Sequence, residues 1–282
     1  MPVDLHLHST FSDGSDEPEA IVANARDAGL STIALTDHDN LDGISRAQAA
    51  AAAAGIDLIP GTELSVGWPS GAMHLLVYFL EPHSGPLQDE LTRIREGRMD
   101  RNLQMVDQLN GLGIDLTYDE VAEQAGEGVM GRPHFAAVLM RKGYVTSIKN
   151  GFDAYLAAGR PGYVPRTRLE ASRAIELATA SGAVTAVAHP HTVGVAAAEY
   201  ADAFTSLVDS GLGGIEAYYA EYSPEVRIHL ADLAAHLGVI ATGGSDYHGT
   251  YKPDTRIGTG RGDLLVPDKA ATELHAARAR LG

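Results

Sequence analysis

Short apolar runs alternate with amphipathic stretches along the first sixty residues of the chain. Runs with the character of buried strands occupy residues 2–5, 31–36 and 56–60, and apolar residues at helical spacing occupy 17–29 and 42–55. This alternation is typical of parallel βαβ units. Polar residues follow each strand, and the carboxyl ends of barrel strands form the face that carries function. The pattern therefore predicts an α/β barrel with a site at that face.

The alternation of strand and helix patterns stops after Glu63, where one apolar run leads into a Trp-Pro-Ser-Gly turn and a second apolar run follows the turn. A hairpin at this turn places His74 across from Ser65, and so close to Glu63. Further strands, each beside a helical pattern, are predicted at 183–188, 214–217 and 239–242. Seven strands in all predict a distorted (β/α)7 TIM-like barrel in preference to the eight-stranded form.

Between the two halves of the barrel, apolar residues recur at helical spacing and strand patterns are missing. Helices are predicted here at 87–112, 117–124, 133–142 and 152–158. We therefore expect a barrel built from residues 1–80 and 163–282, and a small helical insertion domain of residues 81–162 that caps the barrel mouth.

Composition narrows the classes of function. The balance of 21 Lys and Arg against 37 Asp and Glu gives a net charge of −16, which argues against broad nucleic-acid binding through the protein's own field. The absence of cysteine excludes disulfides, thiolate catalysis and cysteine-bound metal. No apolar run approaches the ~18 residues of a membrane span. No apolar leader opens the chain, so the expected location is the cytoplasm.

Histidine and carboxylate side chains gather at the predicted strand ends. His6 and His8 share one face of an extended strand, and a polar turn brings Asp13 back toward them. The full set is His6, His8, Asp13, His38, Glu63, His74, His189, Asp246 and His248. So many donors predict two or three divalent ions (zinc, manganese or iron) that share the carboxylate of Glu63. The alternative is a strand whose histidines point outward or into a polar core.

The same residues indicate how a reaction would proceed. The chain has neither a cysteine nor a serine-centred elbow motif to supply a nucleophile. Clustered dications lower the pKa of a bridging water, polarise a phosphoryl oxygen and stabilise the leaving oxygen. Metal-bound hydroxide, with no protein nucleophile, is therefore the predicted attacking group.

Five short motifs spread these donors over nearly the whole chain. They are His6-Leu-His8-Ser9 with Asp13, Thr36-Asp37-His38-Asp39, Gly61-Thr62-Glu63, Ala188-His189-Pro190 and Gly244-Ser245-Asp246-Tyr247-His248. In this order they resemble the motif series of the PHP (polymerase and histidinol phosphatase) family of metal-dependent phosphoesterases. The stretch Gly131-Arg132-Pro133-His134 resembles that family's small-nucleotide branch, which includes tryptophan-operon-linked proteins and nucleoside 3',5'-bisphosphate phosphatases.

The resemblance implies three sets of metal ligands and one supporting residue. It implies that Asp37 orients a ligand and does not itself bind metal. Some family members have histidine in place of Asp13, which puts the third site in doubt. The implied sets are His6, His8, Glu63 and Asp246 for one ion, Glu63, His74 and His189 for a second, and Asp13, His38 and His248 for a third.

Arg132 and His134 are candidates for binding a substrate phosphate. Pro133 is typical of a first helical turn and would place Arg132 at a helix N-terminus, where backbone N–H groups favour an anion. A guanidinium adds a bidentate fork for phosphate. Arg166 is a weaker candidate for a second phosphate. The alternatives are an ordinary helix cap and surface arginines.

Together these features predict an enzyme that hydrolyses small phosphorylated nucleotides. The favoured reaction removes the 3'-phosphate of nucleoside 3',5'-bisphosphates, and an AMP-like nucleotide is a related substrate. The alternative is a 5'-3' exonuclease or phosphodiesterase that acts on short oligonucleotides with the same metals. A tight cap would admit mononucleotides, and an open groove would admit strands.

Two other classes of function are weaker. His-x-His also opens amidohydrolases that cleave C–N bonds, but those barrels often bridge their metals with a lysine after a middle strand. The lysines here are Lys142, Lys149, Lys252 and Lys269, and none follows a predicted strand convincingly. A non-catalytic metal-binding module is the last class, and the complete donor set argues against it.

Overall fold

The computed structural model describes residues 2–83, 85–126, 130–165 and 168–281. The chain divides into two compact units, one formed by residues 1–91 and 168–282 and the other by residues 92–167. The predicted insertion, residues 81–162, overlaps the second unit, and its assignment as a capping domain stays a prediction. Among the described helices, none combines the length and the apolar character that a membrane crossing requires.

The first unit is built on a sheet of seven strands within the described residues. They are β1 Val3–Leu7, β2 Thr32–Leu35, β3 Asp57–Val66, β4 Met73–Tyr78, β5 Val184–Val187, β6 Gly214–Tyr219 and β7 Ile240–Gly244. The strands neighbour one another in chain order. β4 runs antiparallel to both of its neighbours, and the other neighbouring pairs are parallel.

The sheet curls until its two edges meet. The backbone N–H of His8 donates to the carbonyl of Tyr247 at 3.1 Å, and the N–H of Asp246 donates to the carbonyl of His6 at 3.0 Å. The result is a nearly closed seven-stranded barrel, so the predicted fold is confirmed. The barrel is distorted because β4, the second strand of the hairpin, runs antiparallel to the other strands.

Ten α-helices accompany the sheet in the described parts of the chain. They are α1 Pro18–Asp27, α2 Ile44–Ala54, α3 Pro86–Gly111, α4 Tyr118–Ala125, α5 Arg132–Arg141, α6 Ile148–Gly151, α7 Ala171–Ala180, α8 Tyr200–Asp209, α9 Pro224–Leu237 and α10 Asp268–Leu281. α6, which was not predicted, continues directly into a π-helical turn, Phe152–Leu156, within the stretch 152–158 that was predicted as a helix. Short 3₁₀ turns lie at Pro190–Thr192, Ala197–Glu199 and Gly249–Tyr251.

The hairpin of β3 and β4 has the predicted register, with Ser65 opposite His74. The predicted end of β3 at Pro60 was too early, because β4 supplies an antiparallel partner for every residue from Gly61 to Val66. Glu63 therefore lies within β3, opposite Leu76 of β4, and regular hydrogen bonds between the strands fix its backbone. The sequence pattern alone placed it just after the end of a strand.

Each unit has its own apolar core. In the first unit, Tyr78 donates its hydroxyl to the carbonyl of Leu5 at 3.2 Å, which joins β4 to β1 across the barrel. The residues packed with this pair come from several strands and from α10, and include Val3, Ala34, Ile59, Leu76, Ala186 and Leu274. The core of the second unit includes Met105, Leu109, Val121, Phe135, Leu139 and Leu156.

Closure of the barrel depends on a glycine at the end of β7. A Cβ atom at Gly244 would lie 2.4 Å from the Cβ of His6, 2.5 Å from its backbone nitrogen and 2.9 Å from Oδ1 of Asp4. Only a residue without a side chain lets β7 approach β1 this closely. The same approach fixes the backbone of His6, a predicted metal ligand.

We expect Gly244→Ala to lower the free energy of unfolding by about 1–3 kcal/mol, because overpacking must push β1 and β7 apart. Urea unfolding followed by fluorescence of Trp68, the single tryptophan, measures this in the first unit. Gly97→Ala adds the same methyl group on α3 in the second unit, where a Cβ meets no atom within 4 Å, and should leave this transition unchanged. An unchanged urea midpoint for Gly244→Ala would show that β1 and β7 pack less tightly than these distances indicate.

Candidate metal centre

All nine predicted donors lie at the same end of the barrel, on or just after its strands. β1 carries His6 and is followed by His8 and Asp13, β2 is followed by His38, β3 and β4 carry Glu63 and His74, β5 is followed by His189, and β7 is followed by Asp246 and His248. Every member of the set lies within 4 Å of another member through a nitrogen–oxygen contact. The structure therefore brings together the side chains that the sequence singled out.

Glu63 lies at the middle of the cluster with 1% of its side chain exposed. Its Oε1 is 2.8 Å from both Nδ1 of His74 and Nε2 of His189. Its Oε2 is 3.2 Å from Nε2 of His6 and 3.1 Å from Nε2 of His8. Oε2 also lies 3.3 Å from Nδ1 of His38. Each oxygen thus faces its own group of imidazoles, an arrangement that suits a carboxylate shared between two ions.

Among the described residues, three groups of side chains lie close enough to hold an ion, and in each group the potential ligand atoms, one per residue, lie within 4.8 Å of one another. The first group matches the set implied by the resemblance. In the second, His38 joins Glu63 and His74, while His189 contacts the same carboxylate from another side. The third includes His8 as an additional member. The groups are His6, His8, Glu63 and Asp246; His38, Glu63 and His74; and His8, Asp13, His38 and His248.

The hydrogen bond on the outer side of His6 determines which nitrogen faces the cluster. Nδ1 of His6 lies 2.8 Å from Oε1 of Glu216, a fully buried carboxylate that can only accept. In the neutral imidazole the proton is therefore on Nδ1. The lone pair is on Nε2, which points toward His8 and Glu63.

Two other histidines are oriented in the same way. Nδ1 of His248 lies 2.9 Å from the backbone carbonyl of Asp246, which can only accept. Nδ1 of His189 lies 3.2 Å from Oγ1 of Thr192, whose own hydroxyl donates to the carbonyl of Ala72 at 3.0 Å. In both rings the lone pair of Nε2 is left for the cluster. Metal-binding histidines are held by hydrogen bonds of this kind.

Inside the cluster, nitrogen and oxygen atoms that carry lone pairs face one another. Nε2 of His6 and Nε2 of His8 face each other at 3.1 Å. Among the described residues, buried Nδ1 of His38 and Oδ1 of Asp13 make no hydrogen bond. Buried polar atoms are almost always satisfied, so lone pairs that converge without donors fit bound cations. Imidazoles and carboxylates without thiolates are donors that zinc, manganese and iron accept.

Electrostatics in the metal-free chain reflect the same convergence. Burial alone would raise the pKa of Glu63 and Asp246, but the surrounding histidines hold both pKa values well below their ordinary range. Burial alone would lower the pKa of His6, but the carboxylates of Glu216, Asp246 and Glu63 outweigh it and raise that pKa. The buried carboxylates thus favour positive charge at this centre, which a bound cation would supply.

Backbone strain is concentrated beside the donors. Positive φ angles occur at Asp39 (49°), His189 (27°) and Asp246 (54°), none of which is glycine. A residue other than glycine in this region costs of order 1–3 kcal/mol and persists only where its surroundings hold it. At Asp246 the hydrogen bond from its backbone N–H to the carbonyl of His6 provides one such restraint. The turns after β5 and β7 are thereby held in the orientation that directs their side chains into the cluster.

Asp37 supports the cluster through serines. Its Oδ1 accepts from the backbone N–H of Ser9 at 2.7 Å and from the hydroxyl of Ser12 at 2.6 Å, and its Oδ2 accepts from the hydroxyl of Ser9 at 2.6 Å. Oγ of Ser12 lies 3.4 Å from Nδ1 of His8. Asp37 therefore fixes the turn after β1, and its contact with a histidine runs through Ser12.

Glu216 is a residue that the sequence analysis missed. It is fully buried on β6, contacts His6 with one oxygen and accepts from the backbone N–H of His189 at 2.7 Å with the other. It thereby ties two strand ends to each other. The only signal in the sequence was a lone acidic residue within an apolar strand, and such a residue gives no indication of its partner.

The predicted phosphate-binding residues belong to the second unit. Arg132 begins α5, as predicted, and its guanidinium lies between the rings of Phe152 and Tyr163 at 5.6 and 5.5 Å. It also donates to the carbonyl of Leu156 at 3.3 Å. Nδ1 of His134 accepts from the N–H of Gly131 at 3.0 Å. Arg166, the third predicted residue, lies outside the described residues.

Residues 4–252 match the PHP domain family. The chain belongs to this family. A 3',5'-nucleoside bisphosphate phosphatase from Chromobacterium violaceum is 32% identical over 87% of this chain and 87% of its own length. The 5'-3' exoribonuclease Rnm from Salmonella typhimurium is 30% identical over 87% of this chain and 84% of its own length.

The PHP fold is also found among solved structures. A protein from Bifidobacterium adolescentis, whose description names a metal-dependent phosphoesterase, aligns with a TM-score of 0.83 at 27% identity over 98% of both chains. The predicted family and the predicted enzyme class, a metal-dependent hydrolase of phosphate esters, are confirmed by these matches. The individual metal ligands and the number of ions stay predictions.

The role of Glu216 can be tested by Glu216→Gln. A glutamine has one carbonyl oxygen in place of two acceptors, so it cannot satisfy both His6 and His189. We expect metal affinity about 10–100-fold weaker, as for other outer hydrogen-bond partners of metal-bound histidines. Competition with a chromogenic chelator measures it.

Glu221→Gln is the matched control, because Glu221 follows the same strand but is exposed and forms an ion pair with Arg261 at 2.7 Å. We expect no change in metal affinity for this variant. Equal affinities for the parent and Glu216→Gln would contradict the orienting role of Glu216.

Proposed function

We propose that the chain hydrolyses small phosphorylated nucleotides at a centre of two or three divalent ions, and that it removes the 3'-phosphate of nucleoside 3',5'-bisphosphates. The observation that carries the proposal is the convergence of six imidazoles and three carboxylates, with Glu63 in their midst, at one end of the barrel. The predicted cytoplasmic location belongs to the proposal as well and rests on the sequence.

The nine donors can be assigned to the proposed ions by which of their nitrogen and oxygen atoms lie close together. His6, His8, Glu63 and Asp246 would hold one ion, and Asp13, His38 and His248 would hold another. Glu63 would share its second oxygen with His74 and His189 for a further ion. Ions bound there would lower the pKa of a coordinated water and neutralise charge on the phosphoryl oxygens. Manganese, zinc and iron suit this donor set.

The residues around the donors keep that geometry fixed. Glu216 holds the ring of His6 and the backbone of His189. Asp37 holds the turn that carries His8 and Asp13 through its two serines. Because these bonds form in the folded chain, little reorganisation is needed when a metal or a phosphate binds.

Arg132 and His134 are the proposed anchors for a phosphate of the substrate. The guanidinium of Arg132 stacks between two rings and is thereby held in one orientation, which reduces the entropy lost on binding. Nδ1 of His134 accepts from Gly131, so the neutral ring carries its proton on Nε2 and can donate to a phosphate oxygen. Arg166 stays a predicted contact for a second phosphate.

The choice of a nucleoside bisphosphate follows the relative from Chromobacterium violaceum, which has the highest identity among the full-length relatives described here. A 5'-3' exonuclease on short oligonucleotides is the second candidate. It is favoured by the exoribonuclease from Salmonella typhimurium, which matches over nearly the same share of both chains at 30% identity.

A metal-loading experiment tests the proposal. We expect chelator-treated protein to bind two or three manganese or zinc ions per chain and then to release phosphate from adenosine 3',5'-bisphosphate. The comparison substrates are AMP and a short 5'-phosphorylated oligoribonucleotide. Full metal occupancy without hydrolysis of any phosphate ester would refute the enzyme assignment. Faster cleavage of the oligonucleotide than of the bisphosphate would favour the exonuclease.

Arg132→Ala tests the phosphate anchor. We expect KM for the bisphosphate to rise about tenfold or more with little change in kcat, because an anchor that binds substrate and transition state equally affects KM alone. Arg141→Ala is the matched control at the other end of α5, where the exposed guanidinium donates to Oε1 of Gln124 at 3.3 Å. A KM that stays at the parent value would remove Arg132 from the substrate site.

A further inference from the structure

The two oxygens of Asp246 have different surroundings. Oδ1 faces the cluster, at 3.5 Å from Nε2 of His6 and 3.4 Å from Nε2 of His8. Oδ2 faces away from it and receives two hydrogen bonds, from the hydroxyl of Tyr219 at 2.8 Å and from the ammonium of Lys252 at 2.5 Å. The carboxylate thus presents one oxygen to the proposed ion and has the other engaged by protein donors.

The donors to Oδ2 come from two separate elements. Tyr219 ends β6 and is buried, and its ring lies beside that of His189 at 5.7 Å between centroids. Lys252 follows the 3₁₀ turn Gly249–Tyr251, and 36% of its side chain is exposed. A hydroxyl from one strand end and an ammonium from the next loop therefore converge on a single oxygen.

The turn before Lys252 is fixed in place. Gly249 has φ of 63°, and a Cβ there would lie 1.9 Å from Oγ of Ser15. The backbone N–H of Thr250 donates to the same Oγ at 2.9 Å, and the N–H of Ser15 donates to the carbonyl of His248 at 3.2 Å. The ammonium of Lys252 is therefore delivered to Asp246 by a turn that is anchored to the loop after β1.

We propose that Tyr219 and Lys252 are positioning residues that hold Asp246 as a one-oxygen metal ligand. With Oδ2 engaged, the carboxylate cannot rotate to offer both oxygens to one ion, and Oδ1 keeps its direction toward His6 and His8. The ammonium also offsets part of the buried negative charge before a metal arrives. This inference rests on the proposed metal centre and adds two residues outside its donor set.

The test measures the zinc affinity of chelator-treated protein by competition with a chromogenic chelator. We expect Tyr219→Phe and Lys252→Met to bind the ion of this set about 10–100-fold more weakly, because outer partners of metal ligands have effects of that size. Lys252→Arg should restore most of the affinity, since a guanidinium also donates to Oδ2. At saturating metal, KM for substrate should stay at the parent value in all three variants.

Asp246→Asn and Lys269→Met are the reference variants. Asp246→Asn should lose the ion, and adding Lys252→Met to it should cause no further loss, because the two changes act through one carboxylate. Lys269, exposed on α10 and paired with Glu273 at 3.1 Å, should be replaceable without effect. Circular dichroism of the metal-free variants checks that each one folds.

The possible failures can be told apart. A parent protein that binds no metal would refute the proposed function and this inference together. If Asp246→Asn loses the ion but Lys252→Met and Tyr219→Phe keep the parent affinity, only the positioning role is wrong. A KM that rises in Lys252→Met at saturating metal, with affinity unchanged, would mean that Lys252 contacts the substrate directly, and would also overturn the inference.

Discussion

The cluster depends on a carboxylate that is buried where water cannot solvate it. Glu63 has 1% of its side chain exposed, and an isolated charge at such depth would be strongly unfavourable. The antiparallel return of β4 makes the burial tolerable, because it brings His74 to Oε1, while β1 and the loop after β5 bring further imidazoles. The distortion of the barrel and the chemistry of its centre thus have one cause. A regular parallel barrel would present His74 at the opposite end.

The seam between β1 and β7 carries the second constraint. Gly244 lets the two strands touch, and the bonds of Asp246 and His8 across the seam fix the backbone of two donors from opposite ends of the chain. Closure of the sheet and the meeting of the first group of donors therefore depend on the same contacts. Because the donors come from strands far apart in sequence, the cluster can exist only in the folded barrel, and a bound metal should stabilise the fold as a whole.

Donors and supporting residues differ in how far sequence could predict them. The strand ends were recognisable because histidines and carboxylates follow apolar runs, and the hairpin register followed from its turn. Glu216 and Lys252 were not recognisable. Glu216 bonds His6 across 210 residues of chain, and Lys252 follows its strand only after a turn whose shape depends on Ser15. Such contacts are set by tertiary packing, and no local spacing encodes them.

The acidic charge of the chain is compatible with an anionic substrate once the centre is considered locally. The net charge of −16 spreads over the whole chain, whereas the nine donors contribute only three carboxylates, and the ammonium of Lys252 offsets the charge of one of them. Two or three dications there would exceed this local negative charge and reverse the field that a phosphate meets on entry. Outside the centre the acidic surface would repel long polyanions. This contrast favours a small nucleotide over a long strand as the substrate, for reasons independent of the relatives' activities.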